Sequence, residues 1–419
     1  MSVELAKIEN KQARIVVLGL GYVGLPVACL FAQAGFRVSG VRRSLDKVAL
    51  INRGVSPIEG DEPGLAELLR QVVATGYLVA TTDYKVCRDA DVVLIAVETP
   101  VDPGTKKPEY QALRGALSDL GQHLSRGTLV IIESTIPPLT CRHVVTPLLE
   151  RTGLRVGADI HLAHCPERIL PGDVFYEIVH NDRVIGCAEP VGREMARALY
   201  ASFVKGDLYV TDDVTAELCK LCENTFRDVN IALANEFAAV AEGLGIDPLQ
   251  VIRLANKHPR VNIMRPGIGV GGHCIPLDPW FIKEVDPANS RLIFTARLVN
   301  DEVPHKIAAR VRQAVAHLVT PRLVAIGMSY KPDTEDTRES PATEIVHLLR
   351  ADGYQVAHYD PLVVGHEYSS LADAAAGADC LLLLVEHKVV KQAWKAEQET
   401  VRAAMRTPIV LRFYQDDAP

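Results

Sequence analysis

Residues 14–41 limit the folds open to this chain more than any other stretch. Arg14-Ile15-Val16-Val17-Leu18 is a short β-branched run of the kind that forms a buried parallel strand. Gly19-Leu20-Gly21-Tyr22-Val23-Gly24 follows at once. Leu25 to Ala34 then reads as an apolar helix ending at Gly35, a C-cap, and Phe36 to Val41 as the next strand. Strand, G-x-G-x-x-G, helix and strand within about thirty residues is the dinucleotide-binding arrangement. Gly19 permits the tight turn, Gly21 lets a pyrophosphate approach the backbone, and Gly24 lets helix pack on strand. The pyrophosphate then meets the helix N-terminus.

The second strand ends unusually. NAD recognition calls for an acidic residue there, to accept a hydrogen bond from the ribose 2′-OH. This chain has Arg42, followed by Arg43 and Ser44. A guanidinium only donates, so it suits a 2′-phosphate, which makes NADP an expected cofactor beside NAD. The alternative is an Arg42 that simply faces solvent.

Strand–helix alternation continues. Residues 91–97 and 128–133 read as strands running into Thr99 and Thr135, and a strand near 160–163 runs into Cys165-Pro166-Glu167-Arg168. In doubly wound sheets ligands gather at the carboxyl ends of strands. Thr99 and Thr135 are therefore candidates to line a cofactor or substrate, with structural capping as the rival role. Glu167 stands where a general base could sit.

From about residue 212 to 244 the period becomes helical. Val214, Leu218, Leu221, Phe226, Val229, Leu233, Phe237 and Val240 recur at spacings of three and four, with one five. Such a helix is long enough to link domains and carry a subunit interface. Lys220 and Asn224 lie one turn apart on one face, where two donors could hold a developing oxyanion. Periodicity alone favours a solvated polar stripe.

Beyond it lies Arg265-Pro266-Gly267-Ile268-Gly269-Val270-Gly271-Gly272-His273-Cys274-Ile275-Pro276-Leu277-Asp278-Pro279. Glycines let backbone approach a ligand closely, and a thiol ending such a loop is placed to attack it. The alternative is a Gly-rich turn with a buried thiol. Past about residue 320 a second α/β pattern appears. Strands are expected at 322–327, 355–359, 380–385 and 408–411, with a helix over 344–351. Lys331 and Arg338, in the loop after the first of these strands, are natural partners for the phosphates of an anionic ligand. The expected fold class is α/β: two doubly wound Rossmann-like domains joined by a long central helix, with ligands between them.

Composition closes off other classes. The chain has 419 residues and a net charge of −7, which argues against a nucleic-acid partner. No run approaches the roughly eighteen apolar residues of a membrane span, and the N-terminus lacks a signal-peptide pattern. Nine scattered cysteines suit reduced thiols in a cytoplasm. Cys219 and Cys222 form a lone C-x-x-C in a helical pattern and read as packing residues, so no metal site is expected.

Taken together, these motifs make the sequence resemble the UDP-glucose/GDP-mannose dehydrogenase family, the UDP-sugar 6-dehydrogenases. The matching stretches are 19–26, Cys165-Pro166-Glu167-Arg168-Ile169-Leu170-Pro171-Gly172, 181–186, Lys220-Leu221-Cys222-Glu223-Asn224, His258-Pro259-Arg260-Val261-Asn262, 269–281 and 331–341. The stretches at Cys165 and Pro259 favour its N-acetylhexosamine branch over the UDP-glucose branch, and as a whole the sequence looks most like the members acting on UDP-N-acetyl-D-mannosamine.

The resemblance implies an NAD-dependent oxidation of a sugar C6 alcohol to a carboxylate, by two hydride transfers without release of aldehyde. Cys274 would form a thiohemiacetal and then a thioester. Lys220 and Asn224 would stabilise the oxyanion, Glu167 would serve as base in hydrolysis, and Asp278 would position water and Lys220. Thr135 would lie by the nicotinamide. Tyr22, Val23, Lys47, Thr99 and Arg338 would contact the cofactor. Arg168, His258, Gly271 and Lys331 would contact the substrate, Lys331 at its UDP part. Arg260 would reach a neighbouring subunit's sugar site, so a homodimer or higher homo-oligomer is implied.

The expected division is a dinucleotide-binding domain over 1–205, a helical dimerisation domain with the Gly-Cys loop over 206–310, and a UDP-sugar-binding domain over 311–419. Arg42 departs from the family's usual aspartate, and the tail Phe413-Tyr414-Gln415-Asp416-Asp417 from its usual ending. Rival readings are a UDP-N-acetylglucosamine or UDP-glucose 6-dehydrogenase and, in another class, a non-catalytic dinucleotide-binding sensor.

Overall fold

The computed structural model describes residues 3–58, 62–169, 172–365 and 368–414. Leu170 and Pro171 of the Cys165 motif and Gln415 to Asp417 of the tail lie outside the described residues. The chain divides into two compact units, Met1–Glu223 with Trp280–Val285, and Asn224–Pro279 with Asp286–Pro419.

The first unit is built on an eight-stranded sheet in the order β3-β2-β1-β4-β5-β6-β7-β8. Its strands are β1 Arg14–Leu18, β2 Arg37–Val41, β3 Leu78–Thr81, β4 Val92–Ile95, β5 Leu129–Ile132, β6 His161–His164, β7 Arg183–Cys187 and β8 Leu208–Thr211. Neighbours run parallel except β6 and β7, which pair antiparallel through Ala163 with Cys187 and His164 with Gly186. Alternate side chains enter two separate cores. Ile15, Val17, Leu94, Leu129 and Ile131 pack on one face. Val16, Leu18, Val93, Ile95, Val130 and Ile132 pack on the other. Burial on both faces is why these strands read as unbroken apolar runs. Strand order reverses at β1, whose neighbours are β2 and β4, so the loops after β1 and β4 open at the switch point where such sheets bind ligands.

The second unit holds a smaller parallel sheet in the order β10-β9-β11-β12. Its strands are β9 Arg322–Ile326, β10 Gln355–Tyr359, β11 Cys380–Leu383 and β12 Ile409–Arg412. Leu323, Ala325 and Leu382 face one core and Val324, Ile326, Leu381 and Leu383 the other. Its switch point lies between β9 and β11. There Gly327 turns at φ +83°, and a Cβ on it would fall 1.9 Å from the Val385 carbonyl oxygen. Only glycine lets these two loops meet.

The helix Asp213–Gly243 has 31 residues, and the division of the chain falls within it. Beside Leu221, its buried side is lined mainly by alanines and polar groups, among them Glu217, Lys220, Asn224, Asp228, Ala234, Asn235 and Ala238. Several apolar residues that reveal the helix in the sequence face outward instead, Phe226 at 63% and Val240 at 62% exposure. Lys220 and Asn224 therefore do not form a solvated stripe.

Candidate active site

In the first unit the glycine loop has the shape the fingerprint demands. Gly19 turns at φ +98°, and a Cβ there would meet the Ala96 carbonyl oxygen at 2.3 Å. A Cβ on Gly24 would meet the Gly19 carbonyl oxygen at 2.0 Å, while one on Gly21 would meet nothing within 4 Å. So the first and third glycines are required by packing, and the second leaves its backbone open to a close-lying group. The helix Gly24–Gln33 begins without a side-chain cap at Val23. An uncapped N-terminus beside an open glycine fits the pyrophosphate of a dinucleotide.

Around this loop the expected cofactor residues have defined places. Tyr22 donates its hydroxyl to Glu62, whose carboxylate also accepts the N–H groups of Gly172 (3.0 Å) and Val174 (3.4 Å). Glu62 thus ties the glycine loop to the segment following Glu167 and Arg168. Sequence reading missed it, because a lone glutamate between two helices carries no motif. The half-buried Arg42 guanidinium donates to the Leu20 carbonyl and so lies along the glycine loop. Lys47 occupies the first turn of the helix Leu45–Asn52, where its N–H meets the Ser44 cap at 3.4 Å. Thr99 and Thr135 are brought together, the Thr99 hydroxyl donating to the Thr135 carbonyl. The Ser134 hydroxyl bridges to Val97 beside them.

Glu167 is buried at the end of β6. It accepts the Arg168 N–H at 2.7 Å and a charge-assisted bond from the buried Arg183 of β7. Arg183 also lies 3.5 Å from Glu133, which accepts the Tyr200 hydroxyl at 2.6 Å. Burial pushes the Glu133 carboxyl up to about 7 against the pull of Arg183. Arg183, Glu133 and Tyr200 are thus the fixed backing of Glu167, none of them singled out in the sequence. Arg168 turns toward the long helix, pairing with Glu223 and meeting the Cys219 sulfur at 3.5 Å. Cys222 is exposed rather than packed. Lys220 is only 9% exposed, yet among the described residues its ammonium has no hydrogen bond and no ion pair.

In the second unit Asn224, 8% exposed, donates its amide to the buried Asp278 carboxylate at 2.7 Å. The Asp278 N–H in turn donates to the Cys274 carbonyl at 3.0 Å, closing the turn in which the exposed Cys274 sits. Asp278 therefore links the cysteine turn to Asn224, a bond that sequence reading, which gave Asp278 the positioning of water and Lys220, did not foresee.

The glycine stretch is held on both sides. The Gly267 N–H donates to Asn235 at 2.9 Å, and the Gly272 N–H to the Arg338 carbonyl at 3.2 Å. A Cβ on Gly271 would fall 2.5 Å from the Glu339 carbonyl oxygen and 2.9 Å from Tyr330. Asn235 is itself anchored by Asn300, which donates to Asp228, the partner of the buried Arg297. The Arg338 guanidinium is forked onto Asp336 at 2.7–3.1 Å. Lys331 is half-buried, with its carbonyl held by the Ser329 hydroxyl at 2.8 Å. His258 and Arg260 are exposed, joined by the Arg260 N–H to the His258 ring at 3.3 Å.

Known proteins resemble the chain throughout. Residues 13–204 match the NAD-binding domain of the UDP-glucose/GDP-mannose dehydrogenase family, 214–302 its central domain and 324–414 its UDP-binding domain. A UDP-N-acetyl-D-mannosamine dehydrogenase of Methanococcus aeolicus is 41% identical over 97% of this chain and 92% of its own length. An NDP-N-acetyl-D-galactosaminuronic acid dehydrogenase of Ralstonia nicotianae is 43% identical over 89% and 90%. A solved structure of the UDP-D-ManNAc dehydrogenase from Pyrococcus horikoshii superposes with a TM-score of 0.90 at 40% identity, covering 97% of this chain and 96% of that one. No helix among the described residues is long and apolar enough to cross a membrane.

Proposed function

The chain belongs to the UDP-glucose/GDP-mannose dehydrogenase family, NAD-dependent oxidoreductases of UDP-sugars, and from that premise we propose that it oxidises C6 of UDP-N-acetyl-D-mannosamine to the carboxylate. One observation carries the catalytic reading. Asp278 holds the Cys274 turn through its backbone and the Asn224 amide through its side chain. A nucleophile and an oxyanion donor are thereby fixed through a single buried residue.

NAD, when bound, supplies hydride acceptance at the sugar carbon. The Cys274 sulfur adds to the C6 aldehyde to give a thiohemiacetal, whose oxyanion Lys220 and Asn224 stabilise. After the second oxidation a thioester remains on Cys274. Glu167, oriented by Arg183, takes a proton from water as that water attacks the thioester carbonyl, releasing the uronate and the thiol. Thr135, beside Thr99, lines the nicotinamide end. Arg168 and Gly271 belong to the sugar side, and Lys331 to the UDP phosphates. The division into 1–205, 206–310 and 311–419 assigns these tasks to three domains.

Arg42 supports a further element of the reading: NADP is accepted beside NAD, because the end of β2 offers donors where a carboxylate would reject a 2′-phosphate. The enzyme acts as a homodimer or higher homo-oligomer in the cytoplasm, with His258 and Arg260 exposed for a neighbouring subunit. A panel of UDP-sugars with NAD and NADP tests the whole. The mannosamine sugar should give the highest kcat/KM, with both cofactors reduced. A higher kcat/KM for UDP-N-acetylglucosamine, UDP-glucose or the galactosamine epimer would replace the substrate, and a strong NAD preference would remove the role given to Arg42.

A further inference from the structure

The loop carrying Lys331 is gripped more tightly than a surface turn needs to be. Asp360, at the end of β10 and 1% exposed, accepts the N–H groups of Met328 (2.6 Å) and Ser329 (3.3 Å) on one oxygen. Its other oxygen accepts Leu362 (2.9 Å) and Val363 (3.3 Å). The wholly buried His387, from the loop after β11, meets the same carboxylate through Nε2 at 3.0 Å. Burial alone would raise the Asp360 pKa, but His387 and these backbone donors outweigh it and hold the carboxyl at about 2.

The other ring nitrogen of His387 is also spoken for. The Asp333 N–H donates to Nδ1 at 2.8 Å. Nδ1 is therefore an acceptor, and the ring proton sits on Nε2 facing Asp360. Asp333, at φ +60°, answers by accepting the Lys388 N–H at 2.8 Å, at the first residue of the helix Lys388–Ala404. Two residues before it, the Lys331 carbonyl is held by Ser329, itself tied to Asp360. Lys331 is thus fixed from both sides by groups leading back to one buried carboxylate, at the switch point of the second sheet.

We propose that His387 is a positioning residue for nucleoside diphosphate binding. Through Nδ1 it holds the Lys331–Asp333 turn so that the Lys331 ammonium stays aimed at the diphosphate. This rests on the reading of Lys331 as a phosphate ligand. A lysine is a point charge on a flexible stem, so fixing its backbone is what gives it direction.

Binding of UDP to the full-length protein by titration calorimetry tests the idea, with NADH binding as the control. His387→Asn keeps an acceptor at the Nδ1 position, whereas His387→Gln keeps only a donor toward Asp360. His387→Gln should weaken UDP binding about ten-fold, the scale of one lost hydrogen bond. His387→Asn should stay within about three-fold of wild type. Both should bind NADH normally. Equal UDP affinity in the two variants, or wild-type affinity in His387→Gln, overturns the proposal. Ser329→Ala removes only the hydroxyl on the Lys331 carbonyl and should also weaken UDP binding, which keeps the question decidable if a His387 variant does not fold. Lys331→Met separates the two readings: wild-type UDP affinity there would refute Lys331 as ligand, whatever His387 does.

Discussion

At the residue scale, Lys220 carries the plainest tension in the molecule. Covering a lysine this far without giving its ammonium a hydrogen bond or ion pair among the described residues costs side-chain freedom with no bond in exchange. Its neighbour by one helical turn, Asn224, is by contrast bonded to Asp278. If the cost is kept for transition-state stabilisation, Lys220→Met should leave the melting temperature unchanged or raise it, while kcat falls by roughly 10²–10³. Calorimetry and steady-state kinetics on the same preparation read both; a variant that is less stable but turns over normally would make Lys220 structural. Cys274, Lys220 and Asn224 were legible as types at a spacing. Glu62, Arg183, Tyr200 and His387 were not, since each works through a bond to a distant part of the chain that no local pattern records.

At the element scale, the helix Asp213–Gly243 shows what hydrophobic spacing does and does not reveal. Recurrence at three and four residues identifies a helix, but not which side of it is covered. Here alanines and catalytic-type polar groups take the covered side, and Phe226, Leu233, Phe237 and Val240 look outward. An outward stripe of this kind suits an interface with a second copy. Phe226→Glu should lower the mass measured by analytical ultracentrifugation relative to wild type, and an unchanged mass would remove this stripe as an interface between copies. The strands were easier to read. Burial on both faces makes β1, β4, β5 and β9 near-continuous apolar runs, whereas the exposed, mixed β8 gave no such signal.

At the scale of the whole molecule, the two sheets stand in separate compact units, each with its switch point built of loops that only glycine allows. The alternation of strands and helices foretold the second sheet and β1, β2, β4, β5 and β6 of the first, while β3, β7 and β8 went unread. The antiparallel step between β6 and β7 escaped, because pairing direction is decided by partners rather than by local pattern. A reaction that needs a dinucleotide domain, a cysteine loop and a UDP-binding domain is a property of the full chain, so the full chain must test it. The most direct measurement is uronate formed by Cys274→Ala with UDP-N-acetyl-D-mannosamine and NAD, alongside its affinity for NADH. Uronate should fall to background while NADH binding stays as in wild type; uronate at a rate near that of wild type would mean that the aldehyde is never held on sulfur.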